Sequence, residues 1–277
     1  MQISRKQFLS ALGYGGVMAG LTGSRALASD GLAPAVANPG NTIAIMGGDP
    51  KFYQPYVSPD IEIVKAPHPP GGVRMGFIDS HTEEALEALE VMKSAVACEK
   101  LGYGAMMIGC TADPGLHAAR ELVKMPVLGP CESSMLLAAS LGHGFVAITL
   151  TKAHVPDIYK RASRIGVESK LKAVRYVDYR GGKPPIDRFV KEVNDAADKD
   201  GAHAVVALCM GWVNYIADLQ KLVPIPIVNP GLAPIRHAET LIKLGLSHSK
   251  QAFPDPILSD ETREHLGLGP KITTANR

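Results

Sequence analysis

Gly102-Tyr103-Gly104-Ala105-Met106-Met107-Ile108-Gly109-Cys110 matches Gly201-Ala202-His203-Ala204-Val205-Val206-Ala207-Leu208-Cys209, with Gly, Ala and Cys at the same offsets. Downstream, Met125-Pro126-Val127-Leu128-Gly129-Pro130 matches Ile225-Pro226-Ile227-Val228-Asn229-Pro230. The first of these prolines lies 16 residues after its cysteine and the other 17 after its own. A helical pattern then carries each copy to Leu141-Gly142 or Leu244-Gly245. A duplication on this scale, built of apolar runs and helical stretches, implies two similar halves facing each other.

Working outward, eight β-rich apolar runs follow one another from Asn41 onward: 42–46, 61–65, 105–109, 126–128, 144–150, 171–177, 204–208 and 225–228. Helix-period stretches separate them, the clearest being Glu83–Lys100. Its pattern predicts Ala85, Leu89, Met92 and Val96 on the buried face and Glu83, Glu87 and Glu90 on the solvent face. Strands alternating with helices imply parallel sheets covered on both sides. The expected fold class is α/β: two similar Rossmann-like domains with parallel sheets, related by pseudo-two-fold symmetry, with the active site in the cleft between them. The expected division is an export signal at 1–28, a linker at 29–41, α/β domains at 42–149 and 150–230, and, over 231–277, a helix returning to the first domain and a tail.

The start of the chain reads differently. Ser4-Arg5-Lys6-Gln7-Phe8-Leu9, a mildly apolar Gly-rich stretch and Arg25-Ala26-Leu27-Ala28 form a charged start, an apolar middle and an A-x-A end. This is twin-arginine-like, with Lys6 in place of the second Arg, and it predicts a periplasmic protein exported already folded. The stretch is too short and glycine-rich for a spanning helix, so stable membrane association is not expected. With 277 residues and a net charge of +2, the chain has no basic block that would suit nucleic acid. A small-molecule substrate is the expected partner, and a homo-oligomer is left open. No C-x-x-C or H-x-x-x-H spacing supports a metal site.

Chemistry concentrates at the paired cysteines. Each follows a buried strand and precedes a helical pattern, which in an open α/β sheet is the carboxyl edge where ligands bind. A nearby helix N-terminus would favour a thiolate of near-neutral pKa and could hold an oxyanion. After Cys110, Asp113 reads as an N-cap and Pro114 as the first helical residue. Two thiols presented from opposite sides of a cleft suit inversion of a carbon beside a carbonyl, which needs a base on one face and an acid on the other. Cys98 reads as a core residue, Cys131 as a core residue or, where Pro130-Cys131-Glu132-Ser133-Ser134 opens a helix, a lining of the site, and Trp212 as either a wall of the site or a packing residue. The 67–72 segment reads as a loop able to close over the cleft.

Gly109-Cys110-Thr111-Ala112-Asp113-Pro114-Gly115-Leu116, Ala119-Arg120-Glu121 and Pro126-Val127-Leu128-Gly129 resemble the aspartate/glutamate/hydantoin racemase superfamily, nearest its hydantoin and allantoin racemase branch. Ala207-Leu208-Cys209-Met210-Gly211 is similar to that branch's second cysteine motif. The resemblance implies two α/β domains, no cofactor and no metal. It also implies that Cys110 and Cys209 are the acid/base pair, with Thr111, Met210 and Gly211 near the substrate carbonyls. Gly47, Asp49 and Ser133 complete the expected substrate contacts. They lie in Met46-Gly47-Gly48-Asp49-Pro50 and Pro130-Cys131-Glu132-Ser133-Ser134, where the chain departs from the family's usual Asn-Pro-Asn and Gly-Glu-Ala-Ala. Two other readings stay open: an arylmalonate decarboxylase or maleate isomerase type of enzyme, and an exported two-lobe binding protein without turnover.

Overall fold

The computed structural model describes residues 38–68, 76–181 and 184–269. The expected export signal lies outside these residues, as does most of the 67–72 loop. All eight strands are present. β1 (Thr42–Ile45), β2 (Glu62–Lys65), β3 (Ala105–Met107) and β4 (Val127–Leu128) form one sheet, ordered β2-β1-β3-β4. A second sheet contains β5 (Phe145–Thr149), β6 (Leu171–Tyr176), β7 (Ala204–Ala207) and β8 (Ile227–Val228), ordered β6-β5-β7-β8. Every pairing is parallel, and the strand order is the same in both sheets. The sequence repeat is therefore a structural one. β5 belongs to the second sheet, so by sheet membership the chain changes halves before Phe145, ahead of the boundary expected at 149/150.

The connecting helices repeat as well. In the first half they are α1 (Pro50–Tyr53), α2 (His81–Lys100), α3 (Leu116–Leu122) and α4 (Pro130–Ser140). The second half has α5 (Val155–Arg164), α6 (Ile186–Asp200), α7 (Ile216–Leu219) and α8 (Leu232–Leu244), and α9 (Asp260–His265) follows. Strand alternation decides which residues each helix meets. Ala44, Met106 and Ile108 face α2 and α3, while Ile43, Ile45, Ala105 and Met107 face the other way.

What covers that other face is a helix from the opposite half. Ile235 and Ala238 of α8 pack on Ile43, Ala105, Met107 and Leu128 of the first sheet. Cys131, Met135 and Ala138 of α4 pack on Phe145, Ala147, Val206 and Val228 of the second. Each half thus lends its last helix to the other, and α4 and α8 also touch each other. Burying these apolar faces, at about 25 cal/mol per Å², ties the sheets together.

α2 departs from the expected orientation. Ser80 caps its start, accepting the Glu83 N–H, and Glu83 Oε2 answers the Asp79 N–H. Glu87, Glu90 and Ser94 are buried, whereas Ala85 is exposed and Leu89 and Met92 are half-buried. The glutamates were expected to face solvent because carboxylates rarely bury unpaired. Here Glu90 has His68 at 3.8 Å and Lys93 at 3.9 Å, and Ser94 bonds the Pro67 carbonyl, so the stripe faces the segment following β2.

Candidate active site

Cys110 and Cys209 occupy equivalent positions, just beyond the carboxyl ends of β3 and β7. Each sulfur accepts the backbone N–H two residues on, from Ala112 to Cys110 and from Gly211 to Cys209, both at 3.3 Å. All four cysteines are free thiols. Cys98 and Cys131 are fully buried, while Cys110 and Cys209 are each partly exposed.

Tight backbone approach fixes the first sulfur. A methyl group on Gly109 would sit 2.9 Å from the Gly47 nitrogen and 3.1 Å from the Met46 carbonyl carbon. Gly47 is therefore pressed against the residue preceding Cys110. Gly109→Ala is expected to lower kcat/KM at least tenfold and to destabilise the fold by about 1–3 kcal/mol through overpacking. Comparing chiral turnover with thermal midpoints would check both effects.

The loop after Cys110 corrects the expected cap. α3 starts at Leu116 with Gly115, at φ 64°, as its N-cap, and Pro114 lies outside the helix. Asp113 instead caps α4 across the fold, its carboxylate accepting the Cys131 N–H at 2.9 Å and the Glu132 N–H at 2.8 Å. The second half has a counterpart. Asn229 Oδ1 accepts the Gly231 and Leu232 N–H groups at the start of α8, and its Nδ2 donates to the Val213 carbonyl just after Cys209. Each cysteine loop is thereby fastened to the helix that crosses to the other sheet.

Electrostatics also correct the expected near-neutral thiols. α3 begins six residues past Cys110, so that cysteine is not in the helix's first turn. Burial dominates and pushes Cys110 up to about 12; the Ala112 N–H opposes this, while the charges of Asp113, Cys209 and Glu87 add to it. Cys209 is raised by burial and held back only by the Gly211 N–H. Burial lifts Asp113 to about 7 despite its two N–H partners.

The other expected contacts distribute unevenly. Thr111 is partly exposed beside Cys110, and Gly211 supplies the N–H on the Cys209 sulfur. Met210 packs against the core of the first sheet, so the Cys209 loop reaches across to it. Asp49 is exposed and accepts the Lys51 N–H at the start of α1. Ser133 is buried, with Oγ 3.3 Å from His237 Nδ1, between α4 and α8. Trp212 is buried and stacks 4.6 Å from Phe189, as a packing residue of the second sheet.

A polar group at the end of β5 escaped the sequence reading. Thr149 Oγ1 lies 3.4 Å from His154 Nδ1, whose Nε2 is 3.3 Å from Asp79, itself paired with Arg180. β5 runs beside β7, with the Ile148 carbonyl accepting the Leu208 N–H, so this cluster shares a sheet edge with Cys209. The signal was thin: Asp79 is more than 70 residues from His154 in sequence. A cavity of about 200 Å³ adjoins the Cys110 loop through Ala112 and Asp113, lined also by Glu84, Glu132, Arg161 and Arg164; neither paired sulfur lines it. Among the described residues no cluster of three His, Cys, Asp or Glu side chains could hold a metal, and no helix is long and apolar enough to cross a membrane.

Comparison with known proteins agrees with this architecture. Residues 59–238 match the family model described as Asp/Glu/Hydantoin racemase. A hydantoin racemase of Pseudomonas sp. (strain NS671) is 28% identical over 241 residues, covering 84% of this chain and 93% of that protein. Another, from Rhizobium meliloti, is 32% identical over 179 residues, covering 62% of this chain and 74% of that one. The solved structure of an allantoin racemase from Klebsiella pneumoniae superposes with a TM-score of 0.74 at 22% identity, covering 83% of this chain and 99% of that one. The chain therefore belongs to the Asp/Glu/hydantoin racemase family and is an isomerase of that type.

Proposed function

We propose that this racemase inverts the carbon alpha to a carbonyl in a hydantoin-like substrate, using Cys110 and Cys209 as its two acid/base groups. The observation that carries this is the equivalence of the two sulfurs: same strand end, same N–H partner two residues on, in halves of identical strand order. One thiolate takes the α-proton, and the electrons of the broken C–H bond pass to the carbonyl as an enolate. The opposite thiol then gives its proton to the other face, forming the new C–H bond. The sulfurs finish with their protonation exchanged, ready for the other enantiomer or for reset through solvent. The two residues after each sulfur, Thr111 and Ala112 and Met210 and Gly211, are uncharged, which suits a neutral ring.

Because burial raises both thiols, the thiolate fraction grows with pH. kcat/KM is therefore expected to climb between about pH 7 and 9, approaching tenfold per unit where a single thiolate limits. A flat or falling profile would place the rate-limiting base elsewhere. The reaction itself is tested with single enantiomers of allantoin, 5-alkylhydantoins, aspartate and glutamate, followed by chiral chromatography. Racemisation of a hydantoin supports the reading; no racemisation across the panel rejects it.

A further inference from the structure

We propose that the cavity walled by α2, α3, α4 and α5 is a second ligand site, apart from the paired sulfurs, that takes a small organic monoanion: a carboxylate on a short apolar chain, with Arg164 as its charge partner. The cavity measures about 200 Å³, below the roughly 300–1,000 Å³ of sites for drug-sized molecules, so its occupant is small. Neither Cys110 nor Cys209 lines it. Three of its helices belong to the first half and α5 to the second. The site is independent of which groups move the substrate proton.

The ligand class follows from which charges on the wall already have partners. Glu84 pairs with Arg161 at 3.0 Å, across the two halves. Glu132 is held by the Arg120 fork at 2.6 and 3.1 Å. Asp113 turns both oxygens to the Cys131 and Glu132 N–H groups at the start of α4, at 2.9 and 2.8 Å. Burial lowers His117 below the ordinary imidazole value, which leaves it neutral at pH 7. Arg164, the last residue of α5 and three past Arg161, is the charge that remains. Among the described residues its guanidinium has neither an ion pair nor a hydrogen bond. A guanidinium at a hollow with no counter-charge favours an anion, and its planar fork matches a carboxylate. Leu116, Met135 and Ile165 make the wall apolar elsewhere, which suits a hydrocarbon chain over an inorganic ion. An occupant also lies against Ala112, whose N–H bonds the Cys110 sulfur at 3.3 Å. It therefore touches the Cys110 loop on one side and α5 of the other half on the next.

The test is calorimetric titration of the intact protein with 4-methylpentanoate, with 4-methylpentanamide and inorganic phosphate as comparison probes and thermal midpoints read alongside. The carboxylate should bind one-to-one and raise the midpoint with concentration, as a ligand of the folded state does. The amide has the shape without the charge, and phosphate the charge without the chain. Each should bind about tenfold more weakly or worse. Arg164→Gln should weaken the carboxylate by about tenfold or more, and Arg164→Lys by less. Ala118→Leu fills the cavity from α3 without touching a charge, and should weaken it as much as Arg164→Gln. Arg164 is exposed, so its variants should melt like wild type in buffer alone. Absence of saturable binding would overturn the proposal, as would amide or phosphate binding as tightly as the carboxylate. Unchanged affinity in either Arg164→Gln or Ala118→Leu would overturn it too, by placing the carboxylate at the sulfurs or elsewhere on the surface. No readout involves racemisation, so failure here and failure of the two-thiol reading are separate results.

Discussion

Replacing either Cys110 or Cys209 with alanine is expected to cut racemisation by roughly 10³-fold or more, equally in both directions, while leaving the thermal midpoint nearly unchanged. Each turnover needs one sulfur to remove the proton and the other to return it, so neither can substitute for its twin. Both side chains are small and partly exposed, and their removal opens little cavity volume. Serine in place of one cysteine sharpens the result: exchange of the α-proton should survive only for the enantiomer whose C–H faces the remaining thiol. One indispensable and one dispensable cysteine would instead point to the single-thiol chemistry of a decarboxylase or cis–trans isomerase.

The largest expected effect on stability lies behind the Cys110 loop, at Arg120. Its side chain is 3% exposed, with Nε and Nη2 donating to the Val127 carbonyl at 3.1 and 3.0 Å. Nη1 and Nη2 reach the two oxygens of Glu132 at 3.1 and 2.6 Å. This fork joins α3, β4 and the first turn of α4, and the ring of Phe253 lies 5.4 Å from the guanidinium carbon. Arg120→Ala strands the Glu132 carboxylate and a buried carbonyl, and should cost about 3–5 kcal/mol. At about 2–4 °C per kcal/mol for a chain of this size class, the midpoint should fall by on the order of 10 °C. Glu132→Gln keeps one acceptor and should cost less. A midpoint within about 2 °C of wild type for Arg120→Ala would show that the fork is not holding the helices.

Much of the fold was legible because its signals are local. Buried parallel strands announce themselves as short apolar runs, and all eight runs became strands, the error being one or two residues at an end. The repeat around Cys110 and Cys209 was equally readable, since equal offsets in sequence became equal places in two sheets. The unreadable part was non-local. Nothing near Asp113 shows that it caps a helix beginning 17 residues later, or that α4 and α8 exchange sheets. The inner face of α2 was misread because its partners, His68 and Pro67, come from a separate segment, and glutamates ordinarily mark the solvent side. The thiols' electrostatics were misjudged for a related reason: burial outweighs one backbone N–H, and burial depends on the whole assembly.

The most direct measurement follows deuterium during racemisation of one hydantoin enantiomer in D₂O, at early conversion. Two sulfurs working from opposite faces should put deuterium on the α-carbon of the product enantiomer while the recovered starting enantiomer keeps its hydrogen. Deuterium appearing in both enantiomers at the same rate would mean that a single group serves both faces, and would contradict the paired-sulfur account.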